Sequence, residues 1–273
     1  MSTDTIQGKD AAAAIAARFV AARLEARALS DFPGELPDDL ESAYRIQDAA
    51  IARFPDRVVG WKVGYVAPER RDASGDERIV GPVFAGGLWM ASDSTAFPVF
   101  VGGFAAVEAE YVARLAFDAP PEKLHWSADE AAELTAALHT GIETAGSPLA
   151  SINVIGPRAV VPDFGNNAGL ILGPEIEGWR TRALTSMACD CAIDDRIVGR
   201  GGAMTLSGGP MGALAFALAR NARRGRPLRA GDLVTTGAAT GIHDIVAGQS
   251  AWVDFGIDGR LHCHAVARTP AEG

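Results

Sequence analysis

Between residues 9 and 29, apolar side chains recur at helical spacing. Ile15, Phe19, Val20 and Leu24 share one side and arginines take the other, which predicts an amphipathic helix. A Pro/Gly/Asp-rich loop runs from Ser30 to Asp39, and the helical texture returns from Leu40 to Phe54. From Val58 the period changes. Short apolar runs at 58–66, 79–84, 96–101, 107–117, 152–156, 168–172, 183–193, 232–236 and 250–257 are separated by Gly, Pro and Asp. Several alternate with period two, and such runs between turn signals predict strands. Two helices are expected among them. One covers 128–140, opened by Ser127 with Glu130 three residues on, a capping-box pattern. The other covers about 211–224, with Pro210 in its first turn and Gly225 at its exit. The pattern predicts an α+β chain, with a helical N-terminal region over 1–57 and a β-rich domain over 58–273.

Composition adds bounds to this picture. The chain has 273 residues, 48% hydrophobic and 22% charged, an ordinary globular balance. Its net charge of −9 argues against nucleic acid or an anionic membrane as a partner. It does not exclude an anionic small molecule, because one bound metal ion reverses the local field. The three cysteines, Cys189, Cys191 and Cys263, are too few for a disulfide framework and point to a reducing cytoplasm. A zinc site on them with His262 and His264 is conceivable, but neither spacing matches a common finger or ribbon. No apolar run is long enough to span a bilayer, and the Ala/Arg-rich start lacks a signal-peptide core.

Within the 107–117 run, Glu108 and Glu110 lie two apart, so in a strand both face the same way. Two such carboxylates either line a solvated face or share a cation or proton. In Val58-Val-Gly-Trp-Lys-Val-Gly-Tyr65, Lys62 shares a strand face with Gly60 and Gly64. It is either an exposed strand lysine beside bulge glycines or a cation with open space for a ligand. Glu143, placed by this pattern just past the 128–140 helix, is an acid at an unfavourable helix end. Asn166 and Asn167 sit in a glycine-rich turn and are either turn formers or a polar clamp on substrate. Arg200 stands in the glycine-rich stretch from Gly199 to Gly212, which leads into a helix and could meet a carboxylate. That stretch lacks the Gly-Lys-Ser/Thr of a P-loop. Thr236 ends the apolar strand from Gly231, and His243 lies just beyond it. A lone histidine is more often structural than catalytic.

Taken in order, these runs resemble the fumarylacetoacetate hydrolase superfamily, and within it the 2-keto-4-pentenoate hydratase and oxalocrotonate decarboxylase branch. The likeness is carried by Ala43-Tyr-Arg-Ile-Gln47, Gly60-Trp-Lys-Val-Gly64, Glu108-Ala-Glu110, Ile142-Glu143, Asn167-Ala168, the loop from Gly199, and Gly225 to Asp232 leading to Thr236-Gly237. The resemblance implies a rolled or barrel-like mixed-sheet core. It implies Mg²⁺ or Mn²⁺ held by Glu108, Glu110 and Glu143, which chelates a small 2-oxo acid substrate, with Lys62 as the family lysine. A homo-oligomer is expected. Such a site would stabilise enolate charge, and Lys62 would move a proton or hold the substrate carboxylate.

Two departures bear on the fate of the enolate. The hydratase branch carries an acid where this chain has Ile79, and the family's Asp-Asn-Ala-Ser reads Asn166-Asn-Ala-Gly169 here. Both changes remove groups that handle water or protons. Asp76 or Glu77 are the acids nearest to the first gap, and His243 is the candidate base. The leading expectation is a metal-dependent hydratase of a 2-oxo-alkenoate. A decarboxylase, a C–C hydrolase of a 1,3-dioxo acid, and a non-catalytic partner subunit are the alternatives.

Overall fold

The computed structural model describes the backbone of residues 3–271 and the side chains of residues 10–271. Two helices come first, α1 (Thr3–Leu24) and α2 (Leu40–Ile51). The side chain of Asp39 accepts from the Ser42 amide and caps α2, satisfying one of the free N–H groups at a helix start. The strands are β1 (Val58–Tyr65), β2 (Arg78–Phe84), β3 (Leu88–Met90), β4 (Thr95–Val99), β5 (Phe104–Leu115), β6 (Thr135–Ser147), β7 (Asn167–Glu175), β8 (Ala188–Ile193), β9 (Arg196–Gly202), β10 (Leu233–Thr235), β11 (His243–Asp244), β12 (Ser250–Asp254) and β13 (Arg260–Ala267). The remaining helices are α3 (Ala128–Leu134), α4 (Ile152–Ile155), α5 (Pro157–Val160) and α6 (Gly209–Arg223).

The strands form two mixed sheets. The larger runs β2-β1-β10-β5-β6-β7-β3, with β11 added on β5; the smaller runs β4-β13-β12-β8-β9. The larger sheet is curled into a half-barrel. Its strands β2 and β7 touch although β1, β10, β5 and β6 lie between them in the order. The concave face holds a small apolar plug of Val83, Val112, Leu170, Leu172 and Leu233. The opposite face packs into the main core with Trp61, Val63, Tyr111 and Ile142. No described helix is long and apolar enough to cross a membrane.

Two expectations fail here. The helix forecast for 128–140 stops at Leu134, and residues 135–147 form β6. Thr135, Thr140 and Thr144 are β-branched and suit a strand, and β6 is paired on both sides, by β5 and β7. That pairing overrides a helical pattern that was weak beyond the capping box. The apolar run 152–156 is a short helix, α4, that ends at Gly156 with φ of 105°. Only a glycine takes that conformation without strain.

Candidate active site

β5 and β6 are antiparallel, with Glu108 directly opposite Glu143. Directly opposed residues share a face, and Glu110 joins them from two positions along β5. All three carboxyl groups therefore point into the half-barrel. Each offers an oxygen within 4.8 Å of the others, and all three residues are buried. This is where the strand assignment of 135–147 matters. Glu143 is the central acid of a sheet, not an acid at a helix exit.

Lys62 comes from β1, on the far side of β10. In a flat sheet its backbone would lie roughly 14 Å from that of Glu143. The curl brings Lys62 Nζ to 3.3 Å from Glu143 Oε1. Lys62 is 4% exposed, so it is a buried cation and not a strand lysine in water. Nζ also donates to Asn166 Oδ1 at 3.3 Å. Asn166 reaches it because Gly81 lacks a side chain: a Cβ there would lie 2.0 Å from the Phe164 carbonyl oxygen. The bare backbone lets the Phe164–Asn166 turn lie across β2, with Asn166 itself at φ of 55°, a conformation asparagine tolerates.

Glu143 and Glu110 are further held from outside. Asn167 Nδ2 donates to Glu143 Oε1 at 3.1 Å, and Thr235 Oγ1 to Glu143 Oε2 at 3.2 Å. The backbone amides of Thr236 and Gly237 donate to Glu110 Oε2 at 2.9 and 2.7 Å. Glu108 Oε1 and Glu110 Oε1 are buried with no hydrogen-bond partner among the described residues. Buried acceptors of this kind are costly unless a cation or proton meets them.

The electrostatics carry the same message. Burial pushes the Glu108 carboxyl up to about 8; Lys62 opposes that shift, and the Glu143 charge adds to it. Burial, with the Glu143 and Glu108 charges behind it, also holds Glu110 well above the usual carboxylate range. Burial by itself would depress the Lys62 ammonium, but Glu143, Glu108 and Glu110 outweigh it and the net direction is up. Three ionised carboxylates and one ammonium leave two negative charges uncompensated. A divalent cation removes that excess, and an all-oxygen donor set suits a hard ion such as Mg²⁺ or Mn²⁺.

A cavity of about 650 Å³ opens from the site, lined by Lys62, Glu108, Asn166 and Thr236 among others. The structure does not bring Arg200 and His243 into it. Arg200 lies on β9, exposed to solvent, with Nε 3.4 Å from Asp190 Oδ2. The glycine-rich stretch spends its first residues as that strand, so Arg200 faces water on the smaller sheet. His243 sits on β11 beside Val107, with Nε2 3.2 Å from Thr240 Oγ1. Burial lowers its pKa, and its neighbours Gly241 and Ile242, but not its own ring, line the cavity. Neither nearby acid, Asp76 or Glu77, lines the cavity. Asp76 lies 3.5 Å from Arg220, and Glu77 is paired with Arg78. The three cysteines are buried and free, with burial pushing each thiol up to about 12. The one cluster of potential metal ligands among the described residues is the glutamate triad.

Two contributors escape sequence reading. Thr235 holds Glu143, and its signal was its position beside Thr236 at a strand end. Asn153 Oδ1 accepts from Asn166 Nδ2 at 3.0 Å; it lies on α4, in a run that reads as a strand, and carried no signal.

No protein-family model matches the chain. It is 31% identical over 240 residues to a 2-keto-4-pentenoate hydratase of Burkholderia vietnamiensis, a match covering 83% of this chain and 86% of the relative. Its fold is similar to 4-oxalocrotonate decarboxylase from Pseudomonas putida G7, solved with magnesium and adipate, at a TM-score of 0.79 and 18% identity over 93% of this chain and 97% of the other. A fumarylpyruvate hydrolase from Pseudomonas aeruginosa, solved with Mn²⁺ and pyruvate, shares the fold at a TM-score of 0.53 and 19% identity, over 79% and 91% of the two chains. With 31% identity to a named hydratase over 83% of its length, the protein belongs to the 2-keto-4-pentenoate hydratase family.

Proposed function

We propose that the chain is a divalent-metal-dependent hydratase. It adds water to a 2-hydroxy-alkadienoate, by way of its 2-oxo-alkenoate tautomer, to give a 4-hydroxy-2-oxo acid. The observation that carries this reading is the buried Glu108/Glu110/Glu143 set with Lys62 at the head of one cavity. A divalent cation on that triad would supply Lewis acidity for the enolate charge of a 2-oxo acid. Lys62 supplies the movable proton. Its ammonium is fixed between Glu143 and Asn166 and faces the cavity, in reach of a carbon that gains or loses a proton next to the enolate. Asn167 and Thr235 orient Glu143, and the Thr236 and Gly237 amides orient Glu110. Asn166 and Thr236 line the cavity, and the Thr236 hydroxyl is held by the Tyr111 carbonyl, so Asn166 is the side-chain amide placed to meet substrate.

One observation favours a second reading, decarboxylation. The ideal Cβ direction of Gly64 meets both Ile79 Cγ1 and Lys62 Nζ at 3.4 Å, so an apolar side chain stands where a water-activating group beside Lys62 would be useful. Three buried free cysteines support a reducing, cytoplasmic setting. Exposed apolar side chains such as Phe117, Val154 and Ile257 support a homo-oligomer.

The test is an absorbance assay on 2-hydroxypenta-2,4-dienoate with Mg²⁺, together with thermal shifts by Mg²⁺ and oxalate. Hydration gives loss of the dienol band, solvent oxygen in the product and no CO₂. CO₂ release from an unsaturated 2-oxo diacid, without solvent oxygen in the product, assigns decarboxylation. No response to metal or oxalate, with Glu108→Ala as stable and as inactive as the parent, leaves a non-catalytic partner subunit.

A further inference from the structure

Asn166 and Asn167 meet the two charged groups at the head of the cavity. Asn166 Oδ1 accepts from Lys62 Nζ at 3.3 Å, and Asn167 Nδ2 donates to Glu143 Oε1 at 3.1 Å. Both asparagines owe their direction to irregular backbone. Phe164, Gly165 and Asn166 are left-handed in succession, with φ of 58°, 64° and 55°. Glycine and asparagine tolerate that region, but a phenylalanine there is strained and persists only where its surroundings over-determine it. A bulge follows. Thr144 is opposite Gly169 and Ala145 is opposite Asn167, which leaves Ala168 as an extra residue in β7. In a regular strand Asn167, three residues from Leu170, would face away from it, and Leu170 is opposite Glu143. The extra residue turns Asn167 onto the face of Glu143, as a bulge re-aims a side chain.

One side chain meets every part of this irregular stretch. Arg23, on α1, reads in the sequence as one of the arginines on the polar side of a helix, but it is 3% exposed. Its Nε donates to Asp163 Oδ1 at 2.5 Å and its Nη2 to the Asp163 carbonyl at 3.0 Å, at the start of the turn. Nη1 donates to the Asn167 carbonyl at 2.9 Å, just past the turn, and Nη2 also to the Gly146 carbonyl of β6 at 2.9 Å. The Phe164 ring lies against the guanidinium, with 5.0 Å between the guanidinium carbon and the ring centre, so the strained residue is held too. A planar fork of donors suits such a set of acceptors, and a lysine ammonium does not. Buried ion pairs commonly add no net stability over apolar packing of the same volume, so stability alone does not account for Arg23 and Asp163. Arg23 bonds to neither Lys62 nor a triad acid, and no described residue of α1 lines the cavity.

We propose that Arg23, paired with Asp163, is a positioning residue of the active site. It fixes the left-handed turn and the bulge, and through them the Asn166 and Asn167 side chains that set the geometry of Lys62 and Glu143. Helix α1 is thereby a working part of a site it does not line. This rests on the reading of Glu143 as a metal ligand and of Lys62 as the proton-handling group.

The test compares the full chain with Arg23→Lys and with Arg23→Met/Asp163→Asn. Arg23→Lys keeps a charge beside Asp163 without the fork. The double variant leaves no buried charge unpaired, so the test does not depend on one variant folding. Calorimetry reads Mg²⁺ affinity; absorbance on 2-hydroxypenta-2,4-dienoate at saturating Mg²⁺ reads kcat and KM. Each variant should bind Mg²⁺ about 10- to 100-fold more weakly, and kcat should fall at least about tenfold, the cost of misplacing groups that orient a metal ligand and a proton donor. KM should stay within about twofold, since the loss falls on the transition state. In an Asn166→Ala/Asn167→Ala background, Arg23→Lys should change Mg²⁺ affinity less than about twofold, because the groups it positions are gone. A full, additive loss in that background overturns the proposal, since Arg23 then acts through the fold at large. Arg23 variants with the parent's Mg²⁺ affinity and kcat also overturn it and leave the metal reading intact. A parent that binds no Mg²⁺ overturns both readings.

Discussion

Two of the strand pairs that set charged residues directly opposite each other differ in sign and in burial. β5 and β6 oppose Glu108 and Glu143 in the larger sheet; β8 and β9 oppose Asp190 and Arg200 in the smaller one. The first pair is of like sign, and such pairs are destabilising in a sheet. The second is of opposite sign, the favourable arrangement. Yet the unfavourable pair carries the site, because it is buried with Glu110 and Lys62, while the side chains of Arg200 and Asp190 are 72% and 42% exposed. In water the attraction between opposite charges is weak, so the second pair does little. In the half-barrel the repulsion persists, and it has to be met by a proton, an ammonium or a cation.

The contrast is broken most severely by neutralising one inner acid. Glu108→Gln should lower kcat at least about 10³-fold, the scale of several kcal/mol for lost metal-based charge stabilisation. It should also abolish the thermal shift on adding Mg²⁺. The same change relieves repulsion between buried carboxylates, so with EDTA at pH 8 the variant should melt above the parent. A variant that is inactive and also less stable without metal would show that the acids are structural and not held in opposition.

Acidity sharpens the contrast further. The folded Glu108 carboxyl titrates near 8, against 4.5 for the free side chain. A raised folded value means that the stability linked to this group is fully present below pH 4.5 and is lost as pH rises through 8. The metal-free chain should therefore lose stability between about pH 5 and about pH 8. Metal binding needs deprotonated acids, and Glu110 is raised as well as Glu108, so at least one proton is released on binding and affinity should rise at least about tenfold per pH unit up to about 8. Calorimetry in buffers of different ionisation enthalpy counts the protons released. A pH-independent Mg²⁺ affinity across that range would contradict it.

A milder change acts one step back from the acids. Asn167 Nδ2 touches Glu143 Oε1 and does not line the cavity. Asn167→Ala should weaken Mg²⁺ binding by roughly 10- to 100-fold, the usual cost of losing an orienting partner, while KM for substrate at saturating metal changes little. An unchanged metal affinity would make Asn167 a turn former only.

The same division separates the features that sequence could foresee from those it could not. Glu108 and Glu110 were readable as a shared face because period two is a local property of a strand. The helix expected over 40–54, observed over 40–51, was readable from its helical texture, and the one expected over about 211–224, observed over 209–223, from flanking Pro210 and Gly225. Glu143 stood out on resemblance, but its strand did not, since β6 owes its conformation to partners on both sides. The Lys62–Glu143 approach depends on sheet curl, which no local pattern reports. Arg200 and His243 were drawn in by glycine-rich or threonine-rich surroundings, and those signals say nothing about which way a sheet faces.

The smallest expected effect completes the comparison. If burial, and not the mere presence of opposed charges, makes a site, then dismantling the exposed pair should be silent. Arg200→Ala and Asp190→Ala should each leave kcat/KM within about twofold of the parent, and their double variant should show no more than the sum. The pair has an Nε–Oδ2 separation of 3.4 Å, on side chains largely in water, where such contacts contribute up to about 1 kcal/mol. A loss of about tenfold or more in Arg200→Ala, with Mg²⁺ affinity preserved, would mean that β9 meets the substrate in a state with a different loop position or a neighbouring subunit. The five-stranded sheet would then be part of the site, and the division between the two sheets would fail. A double-mutant cycle tells that case from simple loss of the ion pair, since coupling between Asp190 and Arg200 vanishes if Arg200 acts on substrate alone.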